Sequence, residues 1–384
     1  MSAMTFAAWC NKEARRLEDE GHRIIKLNIG NPAPFGFGSN RRRSSDVILN
    51  MPQSQGYRDP KGSSRPQGGD AVLPAKGCAG STSTTSYRQR REQRAHRDGV
   101  RRRCSTTATM LGPSPTTHLD RGRHLRWSCG ALPLRRRGRL VSGSDDIRAC
   151  ITLRTRGLVL INPNNPTGAV YGSEFCFEAI GLARQHNLII FADEIATRSS
   201  TTTSPTPASA PVRRRDGGDL QRPSKAYRAW GFRQGWMVIT IPKAVPRAIS
   251  RGWRCWPPCG SVPTCPCSTP SRPPLGGCLS INELILPGPP ASPAGQSLGA
   301  LNEIPGVSAS ALGALYMFPR LDPKVYDIRD DQKMVFDLRS RRFCWCKAPA
   351  STAGADHFRL VFLPEEELKR LSAALPASLN RAKQ

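Results

Sequence analysis

The chain has 384 residues and a formal net charge of +28, with a low hydrophobic fraction of 38% and 34 residues each of glycine and proline. This length predicts two domains, or one large domain with a smaller one attached. No run of eighteen apolar residues occurs and the first residues lack the pattern of a secretory signal, so we expect a cytoplasmic protein without a membrane span. The 13 cysteines are then expected to be reduced thiols, not a disulfide framework.

The well-patterned segments predict an α/β protein. Residues 13–21 form a charged helical segment, and residues 23–29 alternate like a strand. A short apolar run at 158–161 predicts a buried strand, 174–186 has helical spacing, and 188–192 predicts a second buried strand. Strand, helix and strand at this spacing indicate a βαβ unit, and therefore a parallel sheet.

Two polar residues follow the two buried strands of this unit. Asn165 lies in a turn rich in asparagine and proline after the first strand, and Asp193 ends the second. Ligands of parallel sheets bind at the carboxyl ends of strands, so both are candidate site residues. Each also has a structural interpretation, because asparagine favours turns and aspartate favours helix N-caps.

Four stretches show no pattern of a folded core: 81–139, 197–222, 246–274 and 339–354. They are rich in Arg, Pro, Ser, Thr, Cys and Gly, and between Lys76 and Arg139 there are 16 basic residues against 3 acidic ones. One interpretation is disordered linker or basic tail. The other, which we favour, is translation of a shifted reading frame in GC-rich DNA, because the composition changes abruptly inside predicted elements.

The basic and cysteine-rich stretches suggest two further functions. Runs of arginine at 101–103 and 135–137 favour non-specific binding of nucleic acid, although they lack interleaved aromatic residues. Four cysteines lie close together, but their spacing is irregular and no histidine is near, so we expect no metal site. These cysteines are Cys255, Cys259, Cys265 and Cys267.

Several segments, in order along the chain, resemble the class I aminotransferases, and bacterial glutamate–pyruvate (alanine) aminotransferases in particular. One short motif would be weak evidence, but several in the same order make a chance resemblance very unlikely. The segments are residues 27–35 (LNIGNPAPF), 55–57 (QGY), 161–171 (INPNNPTGAVY), 187–195 (NLIIFADEI), 224–237 (SKAYRAWGFRQGWM), 313–319 (GALYMFP) and 357–364 (HFRLVFLP).

The resemblance implies the α/β fold type I of pyridoxal-phosphate-dependent transferases. In this fold a mostly parallel seven-stranded sheet forms a large domain, and a smaller α/β domain follows it. On this chain the implied divisions are an N-terminal segment at 1–30, a large cofactor-binding domain at 31–285 and a small domain at 286–384.

The resemblance also implies pyridoxal 5′-phosphate as cofactor and assigns residues to it. Lys225 would hold the cofactor as a Schiff base and then act as general base, both of which suit a lysine. Asp193 would keep the pyridine nitrogen protonated, and Asn165 would donate a hydrogen bond to the ring oxygen. Ser224 belongs to the same site, and Arg233 would pair with the phosphate.

The remaining implied residues concern substrate and subunits. Arg359 would bind the substrate α-carboxylate, although an isolated arginine in a strand is more often an outward-facing polar residue. Asn165 would also belong to the substrate site. Gly30 would present its backbone to the substrate, or it is a plain turn glycine. Tyr57 would reach the cofactor phosphate of a neighbouring subunit, which implies a homodimer. The implied reaction moves an amino group between L-alanine and 2-oxoglutarate.

The chain departs from the family at several positions. The tyrosine expected three residues after the aspartate is Ala196, and residues 88–103 contain no Gly/Ser-rich loop for a phosphate. Arg222 and Pro223 replace small and apolar residues before Ser224. The alternatives to a working aminotransferase are therefore a non-functional product of a frameshifted gene, or a basic protein that binds nucleic acid non-specifically.

Overall fold

The structure is a computed structural model that describes residues 12–26, 84–88, 109–113, 128–132, 143–165, 167–193, 217–221, 234–240, 293–309, 316–326, 343–344, 346–347, 356–361 and 365–378. Within these ranges lies one large sheet with helices, followed by several small sheets.

The large sheet has seven strands in the order β2-β8-β7-β6-β5-β3-β4. Strand β8 is antiparallel to both of its neighbours, and all other pairs are parallel. This confirms the expected mostly parallel seven-stranded sheet. The strands are β2 (Thr84–Arg88), β3 (Thr109–Pro113), β4 (Ser128–Leu132), β5 (Thr155–Ile161), β6 (Ile189–Asp193), β7 (Gly217–Gln221) and β8 (Gln234–Thr240).

The predicted βαβ unit is present. Helix α2 (Ser173–Gln185) connects β5 to β6, which lie side by side and parallel. Its apolar side chains at helical spacing face the sheet, and the shorter helix α1 (Ser144–Cys150) adds the fully buried Ile147. The core between sheet and helices consists of Leu111, Leu132, Ile147, Leu158, Leu160, Ala179, Ile180, Leu182, Ala183, Leu188 and Ile190.

Three strands of the sheet lie within residues 81–139, where the sequence offers no core face of useful length. The structure differs from that expectation, because Leu111 on β3 and Leu132 on β4 are both buried in the core. Strand pairing uses backbone groups, which every residue except proline supplies in full, so a strand with few apolar side chains still extends a sheet whose centre is apolar.

The C-terminal part contains two more helices and short strands. The helices are α3 (Pro293–Asn302) and α4 (Glu365–Ser378). Strands β10 (Tyr316–Met317), β14 (Phe358–Val361) and β13 (Cys346–Lys347) form an antiparallel sheet in the order β10-β14-β13. Strands β9 (Val307–Ser308) and β11 (Arg320–Leu321) form an antiparallel pair.

The N-terminal segment contacts this C-terminal part. Residues 12–19 are helical, and β1 (Ile25–Lys26) pairs in parallel with β12 (Phe343–Cys344). The guanidinium of Arg23 lies 2.6 Å from the carboxylate of Glu367, whose side chain is only 5% exposed. The N-terminal segment therefore packs against the C-terminal part. The division at residues 1–30, 31–285 and 286–384 stays a prediction.

Candidate active site

The turn after β5 is held in one conformation by side-chain amides. The Asn162 side chain accepts a hydrogen bond from Tyr171 N–H at 3.0 Å and donates one to Tyr171 C=O at 3.3 Å. Asn164 is fully buried and donates to Thr167 Oγ1 at 3.1 Å. Gly168 has φ of +73°, a conformation that glycine adopts without strain. The turn therefore presents Asn165, which is exposed, at a defined position.

Asp193 lies beside this turn, at the carboxyl end of β6. It is the register partner of Ile161 on β5, and its backbone carbonyl accepts a hydrogen bond from Asn162 N–H at 3.2 Å. Its side chain is half-buried, whereas Phe191 and Ala192 before it are buried. The strand thus delivers a carboxylate to the sheet edge where ligands of parallel sheets bind.

Arg359, from the C-terminal part of the chain, reaches the carboxyl ends of β5 and β6. It lies on β14 between Phe358 and Leu360, which are both fully buried. Its Nη1 donates a hydrogen bond of 2.7 Å to Oδ1 of Asn165. The structure therefore brings together two of the predicted site residues that are 194 positions apart in the chain.

An aromatic ring packs on the Arg359 guanidinium. The centre of the guanidinium lies 4.9 Å from the centroid of the Tyr316 ring, within the range of a cation–π interaction. Tyr316 is buried on β10 and pairs with Val361, two residues beyond Arg359 on the same face of β14. The ring leaves the guanidinium fewer directions in which to move.

A buried polar cluster precedes Arg359 on the chain. Asp356 accepts a hydrogen bond from Arg320 Nε at 3.0 Å and lies 2.9 Å from His357 Nδ1. The His357 ring stacks on Phe318 with centroids 5.1 Å apart. Burial alone would raise the pKa of the Asp356 carboxyl, but the hydrogen bonds from Arg320 and His357 outweigh it and hold that pKa below its ordinary value.

Comparison with known proteins identifies the family. The profile of "Aminotransferase class I and II" matches residues 143–250. "Glutamate-pyruvate aminotransferase AlaA" of Escherichia coli (strain K12) is 38% identical over 382 residues, covering 94% of this chain and 91% of that protein. The chain belongs to the class I and II aminotransferases. An "Alanine aminotransferase" of Mycobacterium tuberculosis (strain H37Rv) is 36% identical over 402 residues, covering 92% of this chain and 85% of the relative.

Solved structures agree with the aminotransferase assignment. A crystal structure of an aminotransferase from Escherichia coli superimposes with a TM-score of 0.84 at 36% identity, covering 95% of this chain and 93% of the other. An alanine aminotransferase structure from Pyrococcus furiosus superimposes with a TM-score of 0.82 at 22% identity, which supports the fold alone. The fold and the transaminase class implied by the sequence motifs are thus confirmed.

The cofactor of this aminotransferase family is pyridoxal 5′-phosphate, and the described residues suit it chemically. Asp193 offers a carboxylate for a protonated pyridine nitrogen, and the exposed Asn165 amide offers a donor for a ring oxygen. Arg359 offers a planar fork for a carboxylate. Among the described residues, no group of histidine, cysteine, aspartate and glutamate could hold a metal ion, and no helix is long and apolar enough to cross a membrane.

The other predicted site residues of the aminotransferase lie outside the described residues. They are Gly30, Tyr57, Ser224, Lys225 and Arg233, and their roles stay predictions. The position of Ala196 and the segment 88–103, apart from Arg88 at the end of β2, also lie outside them.

Three residues near Arg359 had no role in the sequence analysis: Tyr316, Asp356 and His357. Two of them lie in short segments that each end in proline, Tyr316 in 313–319 and His357 in 357–364, and Asp356 directly precedes the second segment. Only the antiparallel pairing of β10 with β14 shows that Tyr316 faces Arg359, and this register is not readable from two short strands separated by forty residues.

Proposed function

We propose that this aminotransferase moves an amino group between L-alanine and 2-oxoglutarate, giving pyruvate and glutamate, with pyridoxal 5′-phosphate held by Lys225. The hydrogen bond of 2.7 Å between Arg359 and Asn165 carries the proposal. It brings a group suited to a substrate carboxylate to the turn that presents Asn165, at the sheet edge where Asp193 ends its strand.

Each described residue has a role in this reaction. When bound, pyridoxal phosphate supplies an electron sink for the carbon–hydrogen bond that breaks at the substrate Cα. The Asp193 carboxylate would hold the proton on the pyridine nitrogen, because a half-buried carboxylate is stabilised by a cationic partner. The Asn165 amide would donate to the ring oxygen, and Arg359 would bind the substrate α-carboxylate through its paired N–H groups.

The residues outside the described ranges complete the proposal. Lys225 would accept the proton from the substrate Cα and deliver it to the cofactor carbon. Arg233 would pair with the phosphate, with Ser224 in the same site, and Gly30 would leave space for the substrate. Tyr57 would reach the phosphate in a neighbouring subunit. We therefore also propose a homodimer, working in the cytoplasm.

The choice of alanine as substrate rests on the relatives. The proteins of Escherichia coli and Mycobacterium tuberculosis that align over more than nine-tenths of this chain carry the names glutamate-pyruvate aminotransferase and alanine aminotransferase. Arg359 itself does not select among amino acids, because every α-amino acid presents the same carboxylate. Aspartate and branched-chain amino acids are therefore the comparison substrates.

The test is a transamination assay on the purified full chain with pyridoxal phosphate. We expect pyruvate from L-alanine and 2-oxoglutarate, and visible absorbance of the bound cofactor that is lost in Lys225→Ala. Lys324→Ala, which changes an exposed lysine on the C-terminal part, is the matched control and should behave as wild type.

Three results would contradict the proposal. If the folded protein binds no pyridoxal phosphate, it cannot carry out the proposed amino transfer. A chain without cooperative unfolding would favour the frameshifted, non-functional product. Salt-dependent retention on DNA together with no transaminase activity would favour a non-specific nucleic-acid-binding protein.

A further inference from the structure

The polar cluster of Arg320, Asp356 and His357 lies outside the groups proposed to touch cofactor or substrate. Asp356 and His357 are 9% and 6% exposed, so a charged carboxylate is held in the interior. Such a carboxylate is stable only with good partners, and it has two, at 3.0 and 2.9 Å.

The cluster is joined to the strand that carries Arg359. His357 and Arg359 are two residues apart in extended backbone, so their side chains lie on one face. Backbone hydrogen bonds flank the cluster: Leu321 N–H donates to Asp356 C=O at 2.8 Å, and Phe358 N–H donates to Pro319 C=O at 3.2 Å. His357 is also the bridge partner of Arg320.

The strand itself is short, which makes its anchoring important. β14 spans only four residues, and Arg359 is the second of them. On one side β14 pairs with the two-residue strand β10, and on the other with the two-residue strand β13. Because β14 makes few ladder hydrogen bonds, these bonds alone fix the strand weakly. The side-chain cluster of Arg320, Asp356 and His357 at its start adds a further constraint on its position.

The geometry points to Asp356 and His357 as positioning residues that aim the Arg359 guanidinium at the substrate carboxylate. This inference rests on the proposed function, since it assigns these residues a role through Arg359. Arg320 holds Asp356, Asp356 orients the His357 imidazole, and His357 with Phe318 fixes the start of β14. Asp356 and His357 act on substrate binding through Arg359, without touching the substrate.

The experiment measures carboxylate binding separately from chemistry. Propionate is alanine without its amino group, so its inhibition constant in the full-length holoenzyme reports the carboxylate site alone. We expect Asp356→Asn to raise this constant and the KM values for L-alanine and 2-oxoglutarate together, by about tenfold, with a much smaller change in kcat. His357→Asn places an amide near the position of Nδ1 and should rescue most of the binding that His357→Leu loses.

A double-mutant cycle separates positioning from general stability. In an Arg359→Ala background, Asp356→Asn should add almost nothing to the inhibition constant, because the group it positions is gone. Arg320→Gln is the second variant; its side chain is 48% exposed, so the substitution disturbs packing little, and it should raise the same constant less. Leu182→Ala, in the core beside the large sheet, controls for a general loss of stability.

The outcomes distinguish this inference from the proposed function. Additive effects in the cycle, or a lower melting temperature with unchanged propionate binding, would overturn the positioning role and leave the aminotransferase intact. A folded wild type without transaminase activity would overturn both. Coupled effects on propionate and on both KM values support the inference.

Discussion

At the scale of single residues, Arg359 is held between a polar and an aromatic partner. Asn165 accepts one of its N–H groups at 2.7 Å, and the Tyr316 ring lies 4.9 Å from its centre. A guanidinium has five donors in a planar fork, a geometry that matches a carboxylate. A substrate would therefore meet an arginine that is already ordered, which lowers the entropy cost of binding it.

The ring of Tyr316 gives a direct prediction. Tyr316→Leu removes the cation–π interaction, worth about 0.5 to 2 kcal/mol, and should raise the KM of every carboxylate substrate by about 2- to 30-fold. Tyr316→Phe keeps the ring and is the matched control, with less than about a twofold change. Steady-state kinetics with L-alanine and 2-oxoglutarate measure both. Equal effects of the two substitutions would show that the ring face does not hold Arg359.

At the scale of elements, the packed βαβ unit supports the site. Leu158 on β5 is fully buried among the core residues, whereas Leu153, five residues earlier, is 95% exposed. The same residue type therefore occurs in two opposite environments within one short stretch. Because the strand leads directly into the turn with Asn165, its packing also fixes the site.

This contrast predicts the effects of two matched substitutions. Leu158→Ala should lower the free energy of unfolding by about 2 to 5 kcal/mol, because it leaves a cavity in the core. Leu153→Ala should change it by less than about 0.5 kcal/mol. Urea unfolding followed by circular dichroism gives both values. Similar losses in the two variants would place Leu158 outside a packed core.

How far the sequence predicted the elements depended on their apolar content. The run at 158–161 predicted a buried strand, and the observed strand, Thr155–Ile161, begins three residues earlier. Thr155 and Gly157 lie before the apolar run, but they continue the ladder by pairing with neighbouring strands. Strands β3 and β4 were not predicted for a related reason: each places a leucine in the core, Leu111 and Leu132, but neither has enough apolar side chains to form a readable pattern.

The site residues, like the elements, could be predicted only where a local sequence pattern marks them. The positions of Asn165 and Asp193 at the carboxyl ends of neighbouring strands could be predicted, since local pattern and the geometry of parallel sheets decide them. That Arg359 belongs to the same site as Asn165 was implied only by the resemblance to aminotransferases, and their direct contact was not predicted. The cluster around Asp356 depends on pairing between short segments far apart in the chain, which no local pattern reports.

At the scale of the whole molecule, the segment that carries Asn165 and Asp193 differs in charge from the rest of the chain. Residues 151–195 contain three arginines against four acidic residues, although the chain carries +28. The site is assembled from distant parts of the chain, since Arg359 donates a hydrogen bond to Asn165, 194 positions away. A site of this kind exists only when the chain folds as a unit, so cofactor binding and global folding must be coupled.

That coupling gives a prediction for the intact chain. Pyridoxal phosphate at about 100 times its dissociation constant should stabilise the folded state by about 2.7 kcal/mol and raise the melting temperature. The shift should be much smaller in Lys225→Ala, which keeps every other lysine of the chain. Differential scanning calorimetry with and without cofactor measures it. An equal shift in wild type and Lys225→Ala would mean that the aldehyde reacts with surface lysines, and that Lys225 does not hold the cofactor.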